Sequence, residues 1–228
     1  MNLKEAFALA EILAPASQET LASLASCASL KRVKRGEHIF HERDAVKTLY
    51  IVVDGMAAIY KLGDGGERKV IFVYGAGKAL NEAVLNGLPA SESCEALRGA
   101  TLLCFPVERM LAAMSSDFAL SMAVMDSMSI KIRRLYRQIK NTVGSLRCDK
   151  KIAAKLWKLS RDYGVPSPEG TEIAFDLSVT YLADMLGAQR ESVSRQLRLL
   201  AEEGLVLFRA GRFIIPDREA LQSYFKSP

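Results

Sequence analysis

The chain has 228 residues, of which 50% are hydrophobic, and a formal net charge of +5. This length suffices for one large or two modest domains with a sizeable core. Residues 1–130 hold 13 Lys and Arg against 15 Asp and Glu, whereas residues 131–228 hold 18 against 11. A basic C-terminal half attached to a near-neutral N-terminal half is typical of a nucleic-acid-binding domain joined to another module.

Cysteine usage and the N-terminal residues argue against secreted and membrane classes. The cysteines Cys27, Cys94, Cys104 and Cys148 lack CxxC spacing, so a disulfide framework is not expected. Residues 1–17 lack the basic start and long apolar core of a signal peptide. No run reaches the roughly 18 apolar residues that span a membrane. We expect a cytoplasmic protein with reduced thiols and no membrane partner.

The N-terminal part predicts short helices followed by a β-roll. Residues 3–28 suggest helices interrupted at Pro15, and over 31–105 glycines separate short apolar runs. These runs include 49–53, 57–60 and 69–74. Strands at this spacing predict an antiparallel barrel or jelly roll, which an irregular patch over 78–92 interrupts.

A long helix is predicted from Asp117, a plausible N-cap, to Leu146. Apolar residues recur in it at alternating spacings of three and four, the a/d pattern of a coiled coil. Because strict a/d spacing gives a narrow stripe, we favour packing against a second copy of the chain over packing on its own barrel. The predicted dimer interface consists of Phe118, Met125, Met128, Ile132, Leu135, Ile139 and Leu146.

The residues after the long helix predict a further helix, a loop and a strand. Asp149 is expected to cap a helix over 150–161. Residues 164–170 are rich in Gly and Pro and predict a loop, and residues 173–177 predict a short strand.

Residues 178–204 predict a helix-turn-helix followed by a wing. Ser178 is expected to cap the first helix, and Gly187 to separate it from the second. Two apolar runs, 206–208 and 212–215, predict a small hairpin. The predicted fold is α+β: an N-terminal antiparallel β-roll, a long dimerisation helix and a C-terminal winged helix-turn-helix. The expected boundaries are 1–116, 117–146 and 147–228.

The second helix of this motif begins with long polar side chains. Arg190, Glu191, Ser194 and Arg195 lie on its leading turns. A helix that contacts base edges in a major groove needs such side chains at its start. We therefore interpret the protein as a DNA-binding regulator and expect no enzyme activity.

Short motifs in both halves are similar to those of one known family. They are RGE at 35–37, LYIVVDG at 49–55 and GERKVI at 66–71 in the roll, and LA at 182–183, GAQRESVSR at 187–195, LL at 199–200 and EGLV at 203–206 in the helix-turn-helix. With the order of the modules, these motifs make nearly the whole chain resemble the family of the cyclic AMP receptor protein and the fumarate-nitrate regulator.

The resemblance implies how DNA is contacted. Arg190 and Arg195 would donate to guanines, Glu191 would accept from a cytosine amino group, and Ser194 would contact an outer thymine. The operator would be a palindrome of TTGTGA-like half-sites about one helical turn apart. The alternative is that Arg190 and Arg195 only contact phosphates. The other expected DNA contacts are Ser178, Thr180, Gln189, Ser192 and Arg212.

The resemblance also shows where the sensor departs from the family. The family's cyclic-nucleotide site uses a Gly-Glu pair for the ribose and an Arg-Ser pair for the cyclic phosphate. Here residues 81–82 are Asn-Glu and residues 92–93 are Glu-Ser, and a glutamate repels a phosphate. Ile139 and Lys140 occupy the position that offers a hydroxyl to the adenine. We therefore expect no control by cyclic AMP.

We expect an unidentified small effector, organic or inorganic, between the roll and the long helix. Its binding would re-aim the recognition helices, and RNA polymerase would be a further partner if the protein activates transcription. The predicted pocket residues are Val73, Leu80, Asn81, Glu82, Val84, Leu85, Glu92, Ser93, Met125 and Met128.

The cysteines and histidines bear on three cofactor or redox options. An iron–sulfur cluster is not expected, because only Cys27 precedes the roll. Haem stays open, with His38 and His41 as the two histidines of the chain. Cys148 lies beside Arg147 and two lysines, which favours a reactive thiolate and a thiol switch. The alternative is that Cys148 is an inert hinge cysteine.

Two interpretations from other classes remain open. A cupin-like metal-binding β-roll protein would use His38 and His41 as ligands, but it leaves residues 146–228 unexplained. An effector-binding module without DNA affinity would dock another protein through the basic C-terminal face. Failure to bind DNA selectively would favour that module.

Overall fold

The computed structural model describes residues 1–143 and 147–227, with the backbone alone for residues 140–143. Two compact units make up the chain. The N-terminal unit comprises Met1–Lys61 and Ile71–Lys140, and the C-terminal unit comprises Leu62–Val70 and Asn141–Pro228. No described helix combines the length and the apolarity needed to cross a membrane.

Three short helical segments begin the N-terminal unit: α1 (Leu3–Leu9), a 3-10 helix (Glu11–Leu13) and α2 (Gln18–Ala25). α1 starts with a capping box, in which Asn2 and Glu5 each donate a backbone N–H to the other's side chain at 2.9 Å. Pro15 lies between the 3-10 helix and α2, which confirms the predicted interruption.

Five strands form one sheet in order β1-β5-β3-β4, with β2 also paired to β5. They are β1 (Ser29–Val33), β2 (His38–Phe40), β3 (Thr48–Leu62), β4 (Arg68–Tyr74) and β5 (Ser93–Pro106). β5 pairs antiparallel with β1, β2 and β3, as the predicted roll requires. A short 3-10 helix (Glu82–Asn86) lies within the predicted irregular patch.

The prediction of two strands separated at Gly55 is wrong. β3 runs through this position as one strand of 15 residues, with register shifts between Val52 and Ala57. Gly55 has a φ of +78°, and a Cβ there would lie 2.1 Å from the Gly99 carbonyl oxygen. The glycine therefore makes a β-bulge against β5 and does not end the strand.

Two hydrophobic clusters form the core of this unit. One joins the N-terminal helices to the sheet and to the helices after β5, and it includes Ile12, Leu24, Ile51, Phe105 and Met110. The other fills the roll and includes Val52, Ile59, Tyr74, Leu80 and Leu102.

Two helices follow the sheet, α3 (Val107–Ser116) and α4 (Phe118–Val143). Asp117 lies between them, and its carboxylate accepts hydrogen bonds from the backbone N–H of Ser17 at 2.8 Å and of Leu120 at 3.1 Å. These bonds lower the pKa of Asp117 to about 2. The predicted N-cap of the long helix is confirmed.

α4 has a buried face and an exposed apolar stripe. Leu120 and Val124 are buried in the core, and Met128 packs against the same cluster. Met128, assigned to the dimer interface from its spacing, thus faces the core, because it lies one turn beyond Val124 on the same side of the helix. The exposed members of the predicted interface are Phe118, Met125, Ile132, Leu135 and Ile139. Leu146 lies outside the described residues.

The C-terminal unit packs helices on a small sheet of order β6-β7-β9-β8. Its helices are α5 (Cys148–Tyr163), α6 (Val179–Leu186), α7 (Arg190–Glu202) and α8 (Arg218–Lys226). Its strands are β6 (Gly164–Ser167), β7 (Gly170–Ile173), β8 (Leu207–Arg209) and β9 (Arg212–Ile215). The β8–β9 hairpin confirms the predicted wing.

Two local predictions for this unit are wrong. Residues 164–170 form β6 and a turn into β7, so the strand expected at 173–177 lies earlier in the chain. Gly170, with a φ of +130°, allows this turn. Asp149 does not cap α5, which begins at Cys148; its buried carboxylate accepts a hydrogen bond from the Tyr224 hydroxyl at 2.7 Å.

Residues Leu62–Val70 belong to the C-terminal unit through contacts with α6. Arg68 Nη2 donates to the Tyr181 hydroxyl at 3.2 Å, and its guanidinium carbon lies 5.0 Å from the centre of that ring. Lys69 Nζ donates to the Met185 carbonyl at 3.3 Å. These contacts attach the segment to the first helix of the helix-turn-helix.

Candidate nucleic-acid interface and effector region

Local residues set the geometry of the helix-turn-helix. The Ser178 hydroxyl accepts a hydrogen bond from Tyr181 N at 3.0 Å, which confirms it as the cap of α6. Gly187 ends α6 in the left-handed region, with a φ of +64°, as the predicted break requires. Val193, Leu197 and Leu200 are buried and hold α7 against the unit.

The opposite face of α7 presents the predicted base-reading side chains to solvent. Arg190, Glu191, Ser194 and Arg195 are all exposed, and they crowd the first two turns of the helix. Glu191 in the first turn is also favoured by the positive end of the helix dipole. An exposed N-terminal face with donors and an acceptor fits insertion into a major groove.

The remaining predicted DNA contacts differ in their surroundings. Gln189 and Thr180 are exposed, whereas Ser192 is half-buried. Arg212 donates to Glu172 at 2.6 Å and to Asp176 at 3.4 Å, and these hydrogen bonds raise its pKa. Its guanidinium thus joins β9 to β7 and to the residues after β7.

Two exposed arginines were not singled out from the sequence. Arg198 lies on α7 one turn after Ser194 and Arg195, on the same exposed side. Arg209 lies in the wing and forms an ion pair of 2.9 Å with Glu169. The spacing of Arg198 from Arg195 was the signal that could have identified it.

Two predicted effector residues are committed to the structure of the N-terminal unit. Asn81 is buried; its side chain accepts from Tyr50 N at 3.0 Å and donates to the Thr48 carbonyl at 2.9 Å. The Glu82 side chain is 1% exposed and accepts from Lys131 Nζ and from the Ser127 hydroxyl. Lys131 therefore neutralises the carboxylate at the position where the family would bind a ribose.

Lys131 is held by further groups around this carboxylate. Its ammonium donates to the carbonyls of Ala79 at 3.0 Å and Leu80 at 3.2 Å. It also lies 5.0 Å from the centre of the Tyr74 ring. These contacts tie α4 to the residues that follow β4.

The other predicted effector residues do not form one site. Leu80 and Val84 are buried in the core, and Met125 is exposed on α4. The Ser93 hydroxyl accepts from Glu42 N at 3.0 Å, and Glu92 accepts from the Ser91 hydroxyl. A cavity of about 260 Å³ does occur in this unit, but none of the predicted residues lines it. Several of the side chains that were expected to face a ligand pair or pack with one another. Val73 and Leu85 are half-buried, and Met128 packs on the core.

The structure also shows the surroundings of the cysteine and the histidines considered for a thiol switch, haem or a metal. Burial and the neighbouring Asp149 carboxylate raise the pKa of Cys148, which favours the alternative of an inert hinge cysteine over a reactive thiolate. The rings of His38 and His41 stack with centroids 4.3 Å apart, and His38 Nε2 hydrogen-bonds the Tyr60 hydroxyl at 2.8 Å. Within the described ranges, no group of three or more His, Cys, Asp or Glu is placed to hold a metal ion.

Two family models match the two halves of the chain. Residues 30–117 match the cyclic nucleotide-binding domain, and residues 150–224 match the Crp-like helix-turn-helix domain. Together with the winged helix-turn-helix and the exposed face of α7, these matches define a DNA-binding transcription regulator.

Known proteins are similar to this chain over most of its length. It is 25% identical to a global nitrogen regulator of Synechococcus elongatus over 201 residues, which cover 86% of this chain and 89% of that protein. It is 29% identical to a cyclic AMP receptor protein of Thermus thermophilus over 190 residues, 82% of each chain. The structure of FixK2 from Bradyrhizobium japonicum has the same fold, with a TM-score of 0.77 and 20% identity over 88% of this chain and 98% of that one. The chain belongs to the CRP/FNR family of transcription regulators.

Proposed function

We propose that this regulator is an effector-responsive homodimer that binds a palindromic operator with TTGTGA-like half-sites. The observation that carries the proposal is the exposed face of α7, where Arg190, Glu191, Ser194 and Arg195 stand together at the helix start. Arginine forms bidentate hydrogen bonds with guanine, and a glutamate accepts from the cytosine amino group. This set of side chains matches the GTGA part of the half-site.

The exposed stripe of α4 supports the homodimer. Phe118 is 78% exposed, and Met125, Ile132, Leu135 and Ile139 continue the stripe at a/d spacing. Such contiguous apolar surface on a helix indicates a partner, and a/d spacing is complementary to an identical helix. A two-fold dimer presents two recognition helices, which explains why the operator should be a palindrome.

Effector response is the third part of the proposal. α4 packs on the N-terminal core through Leu120 and Val124, and its exposed stripe lies beside this buried face. A ligand that favours one position of α4 would favour one arrangement of the dimer and so of the two recognition helices. RNA polymerase is a further partner if the protein activates transcription.

DNA reading is tested by fluorescence anisotropy of a labelled TTGTGA palindrome and of variants at each guanine. Arg190→Ala should cost about 1–3 kcal/mol on the unaltered operator and abolish discrimination at one guanine position. Arg198→Ala, an arginine of the same helix two turns further on, is the matched control. It should weaken all operators equally and reduce the salt dependence.

The alternative is phosphate contact alone. If Arg190→Ala weakens every operator variant by the same factor, as the control does, base reading by Arg190 is disproved. Binding of scrambled DNA as tight as that of the palindrome would overturn the whole proposal.

A further inference from the structure

The cavity of the N-terminal unit has three walls. The first wall consists of Pro15 and the 3-10 helix Glu11–Leu13. Residues from Tyr74 to Ala79 form the second wall, and one face of α4 forms the third. Its volume, about 260 Å³, is below the range of about 300–1,000 Å³ typical of sites for drug-sized molecules. A ligand of this cavity must therefore be small.

The first two walls are held together by specific contacts. Glu11 N donates to the Gly77 carbonyl at 3.1 Å, and the Glu11 carboxylate forms an ion pair with Lys78. Gly77 has a φ of +90°, and a Cβ there would lie 3.0 Å from the Leu9 carbonyl oxygen. A side chain at this position would crowd the neighbouring backbone, so the glycine allows these two walls to lie close together.

The cavity walls carry charges of both signs. Lys78, Lys131 and Arg134 line the cavity, against the carboxylates of Glu11 and Asp126. Lys78 is paired with Glu11, and Lys131 with Glu82, which is not in the lining. Among the residues that the structure describes, no ion pair engages Arg134 or Asp126, so Arg134 is the lining cation that remains for an anionic group. Its planar guanidinium suits a carboxylate or a phosphate group.

The rest of the lining favours a ligand that has an apolar organic part besides its anionic group. Tyr74, Ile12 and Ile130 line the same space as Arg134. Sites of this kind combine apolar walls with a few polar groups that orient the ligand. We propose that the cavity binds a small organic anion, with its carboxylate or phosphate group on Arg134 and its apolar part against Tyr74 and Ile130.

The position of the cavity connects this ligand to α4. Six lining residues lie on one face of that helix: Ala123, Asp126, Ser127, Ile130, Lys131 and Arg134. A ligand held there would favour one position of α4 over others. This preference would make the ligand the effector. That role rests on the proposed function, whereas the binding itself does not.

Binding is tested by calorimetry on the full chain without DNA. The probes are benzoate and phenyl phosphate, with neutral benzamide as the matched compound. Both anions should bind, and benzamide should bind at least tenfold more weakly. Arg134→Gln should weaken both anions about tenfold or more, as expected for loss of a charge-assisted hydrogen bond. Arg133→Gln, an exposed arginine that does not line the cavity, is the control and should leave binding unchanged.

Each outcome separates the site from the proposed function. Failure of both anions to bind, equal binding of benzamide, or equal affinity in Arg134→Gln and the control overturns the site, whatever the protein does with DNA. If a bound anion leaves the affinity for a selectively bound operator unchanged, the effector role is overturned. If no operator is bound selectively, the proposed function fails while the calorimetry still decides the site.

Discussion

At the scale of single residues, a group of lysines in the C-terminal unit opposes folding. Lys155 on α5 is close to Lys158 of the same helix and to Lys69, which in turn is close to Lys151. Burial, together with these like charges, lowers the pKa of Lys155 to about 8 and also lowers that of Lys69. A pKa below the ordinary lysine value means that the folded protein disfavours the ammonium form.

We predict that the contribution of Lys155 to stability rises with pH between about 8 and the unfolded lysine pKa of 10.5. In that window the unfolded chain still holds the Lys155 proton and the folded chain has lost it, so raising the pH favours folding. Burial raises the pKa of the Cys94 and Cys104 thiols above the ordinary value of 9.0, and above that pH these two groups act in the opposite direction. Lys155→Met should raise the free energy of unfolding near neutral pH by up to about 3 kcal/mol. Denaturant unfolding across this pH range measures both effects.

The control for this prediction is Lys226→Met, an exposed lysine at the end of α8. It should keep the wild-type pH dependence, whereas Lys155→Met should lose the part that rises between about pH 8 and 10.5. The same slope in Lys155→Met and the wild type would show that the lysines do not oppose folding.

At the scale of elements, the long strand β3 depends on a glycine where the sequence predicts a turn. Gly55 adopts a positive φ inside the strand and brings its Cα against the backbone of β5. The bulge changes the register between β3 and β5, so that Ile51 before it faces one core cluster and Ile59 after it, at an even spacing, faces the other.

Gly55→Ala should therefore destabilise the protein more than an ordinary glycine substitution. Gly36→Ala is a matched control, because Gly36 has the same φ of +78° with no atom within 4 Å of a Cβ. The control should cost about 1 kcal/mol. Gly55→Ala should cost at least about 2 kcal/mol more, because the Gly99 backbone must move. Thermal and denaturant unfolding compare the two, and equal losses would contradict the close approach.

At the scale of the whole molecule, the proposed assembly depends on the exposed stripe of α4. The helix rise of about 1.5 Å per residue makes the stripe from Phe118 to Ile139 roughly 30 Å long. An interface of that length can hold two chains in one register, and the symmetry of the dimer then determines the spacing of half-sites.

Ile132→Asp should weaken the dimer, because it places a charge in the centre of an apolar interface. We expect the dissociation constant to rise at least about tenfold, equivalent to about 1.4 kcal/mol. Sedimentation equilibrium measures this change, and affinity for the palindrome should fall with it. Arg137→Asp, exposed on the same helix and outside the stripe, should leave association unchanged. A monomeric wild type, or equal association in the two variants, would rule out the α4 dimer.

The sequence by itself determined those features whose partners lie within a few residues. The Ser178 cap, the Gly187 break and the buried spacing of Val193, Leu197 and Leu200 all depend on neighbours along the helix. The same holds for the exposed face of α7, because helical periodicity alone separates it from the buried face. The order of these elements was enough to indicate the fold and the family.

Only the tertiary structure decided which distant groups meet. Lys131 neutralises Glu82 across 49 positions, and Asp149 accepts from Tyr224 across 75. Local spacing gives no signal for either contact. Glu82, predicted from the sequence as an effector residue, forms a buried ion pair, and Asp149, predicted as a helix cap, is a buried hydrogen-bond acceptor. The cavity at Arg134 likewise depends on three segments brought together by the core. Long-range packing and charge pairing are properties of the folded chain as a whole, and local patterns do not encode them.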